Sequence, residues 1–416
     1  MFVGSLAAFL VLFRGASGGG FAAIGLFDAG QLGNLSLVVG AVEKRDALFG
    51  QTEAWEPRLD NGYPNVVPPR AGKPAWELFY GDCVNTCKSQ VVLYANSSDG
   101  LTWAKPKLGL FEIGSVRPDL SSIGSQNNIL FVGGGVGVLY EEEEEDASQR
   151  CKAFGPACSS RSAHAAMMDF EALLMADLRA PEAAPTQPIH ADFGTSADGL
   201  RWTDAGSVEW PDPQRFDLQK SPGHNNLVPF GQGDVATTRI GFQNSPGRAR
   251  GWSWVAGGLE GPQLIPLGKS AAFDSHVCFA AAVPVTTDDG ERLYYMAGNG
   301  PHSGDRNSSF GLATLRRHGY AGVRGSGTAT TKTLLCTGRL LTVTADAAGG
   351  SFAVGVSGAG SGVSLLRAVR VTTNVTDFAV SFDGGGDFAG YVGHNVTLDV
   401  AFDNAALYTL AFTDDP

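Results

Sequence analysis

The densest set of residues fit for chemistry is the run Trp55-Glu56-Pro57-Arg58-Leu59-Asp60-Asn61-Gly62-Tyr63-Pro64-Asn65-Val66-Val67. A sugar site needs a carboxyl group as acid or nucleophile, hydrogen-bond donors for hydroxyls, and a ring face to stack on. Carboxylates beside Arg, Asn and aromatic residues supply that set here. The same residues also suit a turn entering a strand, and on chemistry alone the two readings stand level. A second acidic group, Glu141 to Asp146, is most simply a solvated loop. It directly follows the strand-like Val136-Gly137-Val138-Leu139-Tyr140, which would deliver Glu141 and Glu142 at its end.

The elements that must position these groups are legible in two related stretches. Ser97-Ser98-Asp99-Gly100-Leu101-Thr102-Trp103 and Ser196-Ala197-Asp198-Gly199-Leu200-Arg201-Trp202 are identical at five of seven positions, with the Trp in register. Asp-Gly supplies the positive backbone angles of a tight two-residue hairpin turn. The Trp that follows then lies on the returning strand, where its face packs against a neighbouring sheet. Ser89–Ala95 and the weaker His190–Thr195 read as the strands before each turn, and Arg250-Gly251-Trp252-Ser253-Trp254 is a decayed echo. Repetition of this kind predicts stacked β-units. Trp76–Gly81 and Glu291–Gly298 look like equivalent aromatic strands of two such units.

Composition sets the outer bounds. With 416 residues, 56 glycines and few long amphipathic stretches, the chain is expected to be all-β with many turns. A formal charge of −12 without a basic patch argues against nucleic acid as a partner. No apolar run after the N-terminus is long enough to span a bilayer. At the N-terminus, Phe2 to Phe13 is almost wholly apolar and is closed by Arg14 and Gly15-Ala16-Ser17-Gly18, like a secretory signal over residues 1–18, though without a basic residue ahead of it. Sequons at Asn34, Asn96, Asn307, Asn374 and Asn395 fit a secreted or lumenal glycoprotein. The close pairs Cys83/Cys87 and Cys151/Cys158 suit small disulfide loops and lack the His or Cys companions of a zinc site. Cys278 and Cys336 read as small buried hydrophobes. No cofactor and no metal is called for.

Short strands and Gly-rich turns alternate from Phe21 to His318, and a composition shift follows. Residues 319–416 are rich in Thr, Val, Ala and Gly, with alternating strands at Leu340–Ala345 and Val396–Phe402, as in a β-sandwich. The expected organisation is a β-propeller over 21–318 and a sandwich over 319–416.

Several runs resemble family-32 glycoside hydrolases, the invertase-like five-bladed β-propellers. They are Leu26-Phe27-Asp28, Val42-Glu43-Lys44, Trp55-Glu56 with Asp60–Val66, Ser98–Trp103 with Leu108-Gly109-Leu110, Arg150–Gly155 and His224-Asn225-Asn226. The strongest is Phe273-Asp274-Ser275-His276 continuing to Asn299-Gly300-Pro301-His302 and Gly311–Arg316. The resemblance covers most of the chain, including a C-terminal sandwich. It implies a central funnel and three acids: Asp60 as first-blade nucleophile, Glu142 (or Glu141, with Asp146 competing) as second-blade stabiliser, and Asp274 at the head of the last blade. The implied reaction is retaining hydrolysis, with Asp60 attacking the anomeric carbon while a protonated carboxyl group donates to the leaving oxygen. Trp55, Arg58, Asn61, Tyr63, His224, Asn225, Arg239, His276 and His302 become candidate sugar contacts, although each His alone is more often structural.

The departures bear on function. Between Arg239 and Trp252 there is little room for the strands that complete one blade and begin the next, so the propeller lacks part of a blade. The general acid of the invertase-like enzymes comes from that middle portion, and no carboxylate here replaces it. Asp60–Asn65 also departs from their tighter Asn-Asp-Pro-Asn motif. Two functions follow as expectations: a carbohydrate-active hydrolase, or a catalytically inactive glycan-binding or interaction module. A sialidase-type propeller is disfavoured, because its repeat spaces Asp and Gly one residue apart.

Overall fold

The computed structural model describes residues 12–14, 19–28, 32–59, 62, 64–84, 89–133, 137–142, 144–156, 189–210, 225–232, 237–244, 253–254, 263–281, 283–301, 306–358 and 362–414. Its described residues are mostly β-structure. A first antiparallel sheet takes Asn65–Val67, Trp76–Cys83, Gln90–Ser97 and Ile129–Val132 in chain order, with Trp103–Ala104 beside the third strand. A second takes Gly137–Tyr140, Cys151–Pro156, Ile189–Ser196 and Thr203–Trp210, again in chain order. The last sheet takes Val277–Ala280, Gly290–Gly298 and Ser308–Leu315, and its outer edge is completed by Glu43–Lys44 and Phe49–Gly50 from the start of the chain. The two aromatic strands that look equivalent in sequence, Trp76–Cys83 and Gly290–Gly298, are both inner strands, second among those just given for their sheets.

Those second strands are buried along nearly their whole length, because each sheet is covered on both faces. One core joins the first sheet to the last through Leu78, Tyr80, Leu93, Tyr294, Met296 and Phe310. Another joins the first to the second through Phe79, Tyr94, Val138 and Ala153.

The Asp-Gly loops lock these packings. Ser97 Oγ accepts from the backbone N–H of Gly100 at 2.9 Å, and Asp99 Oδ1 accepts from Leu101 and Thr102, each at 2.7 Å. The second copy repeats this, with Ser196 Oγ accepting from Gly199 at 2.9 Å and Asp198 Oδ1 from Leu200 and Arg201 at 2.8 Å. Only the glycine has positive φ, +71° in both copies, and Ser97 pairs with Trp103. The turn is therefore a five-residue loop capped by the Asp side chain, rather than the tight two-residue turn the dipeptide suggests.

The first loop docks on Gly290–Gly298 of the last sheet, and the second on the turn before Trp76–Cys83 and on Phe79 of that strand. Arg292 donates to Asp99 O at 2.7 Å and Tyr294 to Gly100 O at 2.8 Å, while Lys73 donates to Asp198 O. Trp103 packs edge-on to Tyr294 and Phe310, as Trp202 does to Phe79 and Phe131. The inward Trp expected from the repeat is thus present twice.

Between the second and last sheets, Asn225–Gln232 and Thr237–Asn244 form a hairpin with Ser253–Trp254 on its edge. This hairpin runs into the last sheet through a parallel pairing at Thr238 and Val277. Among the described residues, therefore, five separate four-stranded blades are not present, and no sheet closes on itself.

The C-terminal part builds an eight-stranded sheet around Leu398–Thr413, a strand of 16 residues. Its first half pairs with Ser351–Val356 and its second with Leu340–Asp346, while Ala321–Thr330 lies along the other edge. Register shifts at Gly325/Gly327 and Thr344/Ala345, together with Asn404 at φ +45°, interrupt its ladders near the middle of the long strand. Gly19–Ala22 and Ser36–Val39 also join this sheet, and Ala23, Leu26, Phe27 and Leu35 fill its core. Part of the N-terminal segment thus packs with the C-terminal strands. Of the proposed signal region, residues 1–11 and 15–18 lie outside the described residues, and Leu12–Arg14 pairs with Gly19–Phe21. No helix among the described residues is long and apolar enough to cross a membrane.

Candidate functional site

The segment 51–62 leads into the first strand of the first sheet, and its course is set by Glu56. That carboxylate is 2% exposed; it accepts from Tyr80 OH at 2.7 Å and from Thr52 and Glu53 N–H at 3.2 and 3.3 Å, and it pairs with Lys105. Burial, then the Glu56 charge, pushes the Tyr80 hydroxyl well above its ordinary pKa. Asn128 closes the network, donating to Tyr80 OH at 2.9 Å and accepting the Trp55 indole N–H at 2.8 Å. Glu56 and the Trp55 indole are thereby committed to holding the loop.

The rest of the segment is tied to two sheets. Cys83 N–H donates to Arg58 O at 2.9 Å and Gly81 N–H to Gly62 O at 2.6 Å. Gly62 has φ +68°, and a Cβ there would stand 2.1 Å from Met296 Cγ, so only glycine fits. Gln51 donates to Pro57 O at 2.6 Å and accepts from Ser308 N–H at 2.7 Å, which reaches the last sheet.

The loop before the first strand of the last sheet arrives at the same end. His276 N–H donates to Gly298 O at 3.1 Å, and its ring Nδ1 lies 2.9 Å from Ser275 Oγ. Arg306 packs on Gly298 and donates to Pro301 O at 3.2 Å and Ser308 Oγ at 3.3 Å. Arg58, Gly62, Gly298, His276 and Arg306 thus mark one end of the two sheets, where guanidinium and imidazole groups can donate to hydroxyl oxygens.

Asp274 is held differently. It is 2% exposed, and its Oδ2 accepts from Lys44 Nζ at 2.6 Å and Tyr295 OH at 3.0 Å. Lys44 also donates to Pro266 O at 2.8 Å, and Gly268 N–H donates to Asp274 O at 3.0 Å. Burial first, and then the Asp274 charge, raises the Tyr295 hydroxyl far above its usual pKa. Phe273 stacks on Tyr295 with centroids 6.1 Å apart. Asp274 therefore neutralises Lys44 and ties the edge strand Glu43–Lys44 to the loop before Val277.

The remaining sequence candidates are spread out. Glu142 is exposed in the turn after Gly137–Tyr140, and among the described residues no hydrogen bond or ion pair joins it to Asp274. Glu141 pairs with Lys152, and Asp146 caps the following turn by accepting from Ser148 N–H at 2.9 Å. Arg58 and His276 are half-buried. Asn225 and Arg239 lie on paired strands, at positions where only the backbone is described. Asp60, Asn61, Tyr63, His224 and His302 lie outside the described residues. Cys151 is a buried free thiol, so it does not form the expected loop with Cys158; Cys83 is buried, and Cys87 and Cys158 lie outside the described residues. No described cluster of three or more His, Cys, Asp or Glu side chains is arranged to hold a metal ion.

Sequence reasoning missed Lys44, Tyr295 and Arg306. Lys44 lies in one of the quoted runs, but nothing local couples it to a carboxylate 230 residues away. Asp82, 1% exposed and adjacent to the Cys83–Arg58 backbone link, was likewise hidden inside a strand.

No protein-family model and no curated protein matches the chain. Among solved structures, it aligns with the exo-β-1,3-galactanase of Phanerochaete chrysosporium over 89% of this chain and 100% of that one, at 10% identity and a TM-score of 0.33. The exo-inulinase of Aspergillus awamori aligns over 88% and 98%, at 9% identity and a TM-score of 0.27. The β-1,2-mannobiose phosphorylase of Listeria innocua aligns over 61% and 57%, at 11% identity and a TM-score of 0.24. Likeness at this level carries no argument about what this chain binds or does. This chain is a mostly β protein in which the loop 51–62 is bonded to the first and last sheets and His276 to Gly298 of the last.

Proposed function

We propose that the chain recognises a carbohydrate at the sheet ends marked by the lead-in loop 51–62 and by His276, with Arg58 and His276 as contacts. The observation that carries this reading is that the loop 51–62 is bonded to the ends of both sheets, at Gly81, Cys83 and Ser308, while His276 is bonded to Gly298 at the end of the last sheet. Within the run from Trp55 to Val67, the half-buried Arg58 is the described donor, and Asp60, Asn61 and Tyr63, outside the described residues, are the further contacts that the sequence offers for sugar binding. The finer reading is an invertase-like propeller with a C-terminal sandwich, entering a secretory lumen behind the apolar Phe2–Phe13 segment.

Binding without hydrolysis is favoured over retaining hydrolysis by one observation. Retaining enzymes need a second carboxyl group about 5–5.5 Å from the nucleophile, able to give and take a proton. Asp274 already spends Oδ2 on Lys44 and Tyr295, and Glu142 is exposed on a separate turn. Among the described residues, the candidate acids Asp274 and Glu142 are thus not brought together. A glycan array paired with a broad glycoside panel tests this: binding of at least one glycan with no turnover is expected. Turnover of any glycoside, abolished by Asp60→Asn with the fold intact, would restore the hydrolase.

A further inference from the structure

The five sequons were read above as a group, yet the fold treats them very differently. Asn96 lies within Gln90–Ser97, opposite Glu77 on one side and Ala104 on the other. Its side chain hydrogen-bonds the Tyr94 hydroxyl, which also donates to the buried Glu77 at 3.1 Å. A glycan on that amide would break this bond to Tyr94, whose ring lies in the core between the first and second sheets. Asn395, by contrast, is exposed on a two-residue strand whose partner is Leu334–Leu335.

The surroundings of Asn395 point to a cover. Its register partner Leu335 is 49% exposed, and Val392, three residues earlier, is 44% exposed. Backbone bonds from Gly393 N–H to Cys336 O and from Cys336 N–H to His394 O, at 2.8 and 2.9 Å, join the two segments that carry these apolar side chains. Asn395 is followed by Val396 and Thr397, so the acceptor triplet begins directly opposite the exposed Leu335.

We infer that Asn395 carries an N-linked glycan that covers Leu335 and Val392, and that Asn96 in the folded protein carries none. In the transfer step, Asn395 Nδ2 bonds to C1 of an oligosaccharide carried on a polyprenyl pyrophosphate. The C1–oxygen bond to the pyrophosphate breaks, the lipid pyrophosphate leaves, and one amide proton passes to a base of the transferase. The inference rests on the secretory route proposed above, and the experiment supplies that route independently.

The full chain is made in eukaryotic cells behind a cleavable secretory leader, and the monomeric product is released with peptide-N-glycosidase in ¹⁸O water and mapped by mass spectrometry. The expected result is ¹⁸O-labelled Asp at position 395 in most molecules and none at position 96. An unlabelled 395 peptide, or label at 96 in the monomer, overturns the assignment. Asn395→Gln should lose one glycan's mass and shift the product toward oligomers, and adding Leu335→Ser should reverse that shift. An Asn395→Gln product as monodisperse as wild type would overturn the covering role.

Discussion

Replacing Lys44 by Met tests whether Asp274 is a strut. The substitution keeps most of the methylene packing and removes the ammonium from a carboxylate that is 2% exposed. Breaking a buried ion pair by deleting one partner costs about 3–5 kcal/mol, because the other charge is left uncompensated. The Lys44 side chain is 23% exposed, so water can partly replace it, and the expected loss is about 2–4 kcal/mol. Asp274→Asn keeps an acceptor for Tyr295 and leaves Lys44 its bond to Pro266 O, so about 1–2 kcal/mol is expected there. The double variant should recover about 1–3 kcal/mol relative to the sum of the two. Urea unfolding followed by tryptophan fluorescence and circular dichroism measures all three. A Lys44→Met loss below about 0.5 kcal/mol, or a strictly additive double variant, would refute the ion-pair reasoning.

Further expectations follow from the Asp-Gly loops and the Glu56 network. Gly100→Ala would set a Cβ 2.6 Å from both Arg292 Nη1 and Tyr294 OH, whereas at Gly199 the nearest atom is Phe79 Cζ at 3.2 Å. Both substitutions carry the left-handed backbone cost of about 1–2 kcal/mol, and Gly100→Ala should destabilise by at least about 1 kcal/mol more than Gly199→Ala in the same urea assay. The Asp99 carboxyl is held down to about 2 by the backbone N–H groups of Thr102 and then Leu101. A depressed carboxyl stabilises the fold above its unfolded pKa and loses that contribution as pH falls toward about 2. Wild type should therefore lose more of its urea midpoint than Asp99→Asn between about pH 4 and pH 2; equal losses would remove Asp99 from the account. Lys105→Met should cost about 3–5 kcal/mol, since both its side chain and that of Glu56 are buried, and a loss under about 1 kcal/mol would contradict the network.

Legibility in the sequence followed distance along the chain. The Asp-Gly loops and their Trp residues could be read because every group that shapes them lies within seven consecutive residues. Even there the turn was misjudged, because the dipeptide does not reveal that Asp99 and Ser97 cap a wider loop. The docking of the two loops against Gly290–Gly298 and Trp76–Cys83 was foreshadowed only by the aromatic character of those strands. Pairings across the chain were invisible: Glu43–Lys44 with Ser308–Leu315, Ser36–Val39 with Ala321–Arg324, and Lys44 with Asp274. Asp274 shows the consequence. Its neighbours in sequence suggest a catalytic loop, while partners from two distant strands hold it as a neutralised, buried carboxylate. The parallel pairing of Thr238 with Val277, which joins the hairpin at 225–244 to the last sheet, had no local signal in the sequence.

The most direct test of the central claim is a crystal structure of the chain with a glycan identified on the array. The account predicts the sugar bounded by Arg58 and His276, with the Lys44–Asp274–Tyr295 contacts unchanged and the glycosidic bond intact. A sugar bound elsewhere, or one cleaved with Asp274 released from Lys44 and turned toward it, would contradict the account.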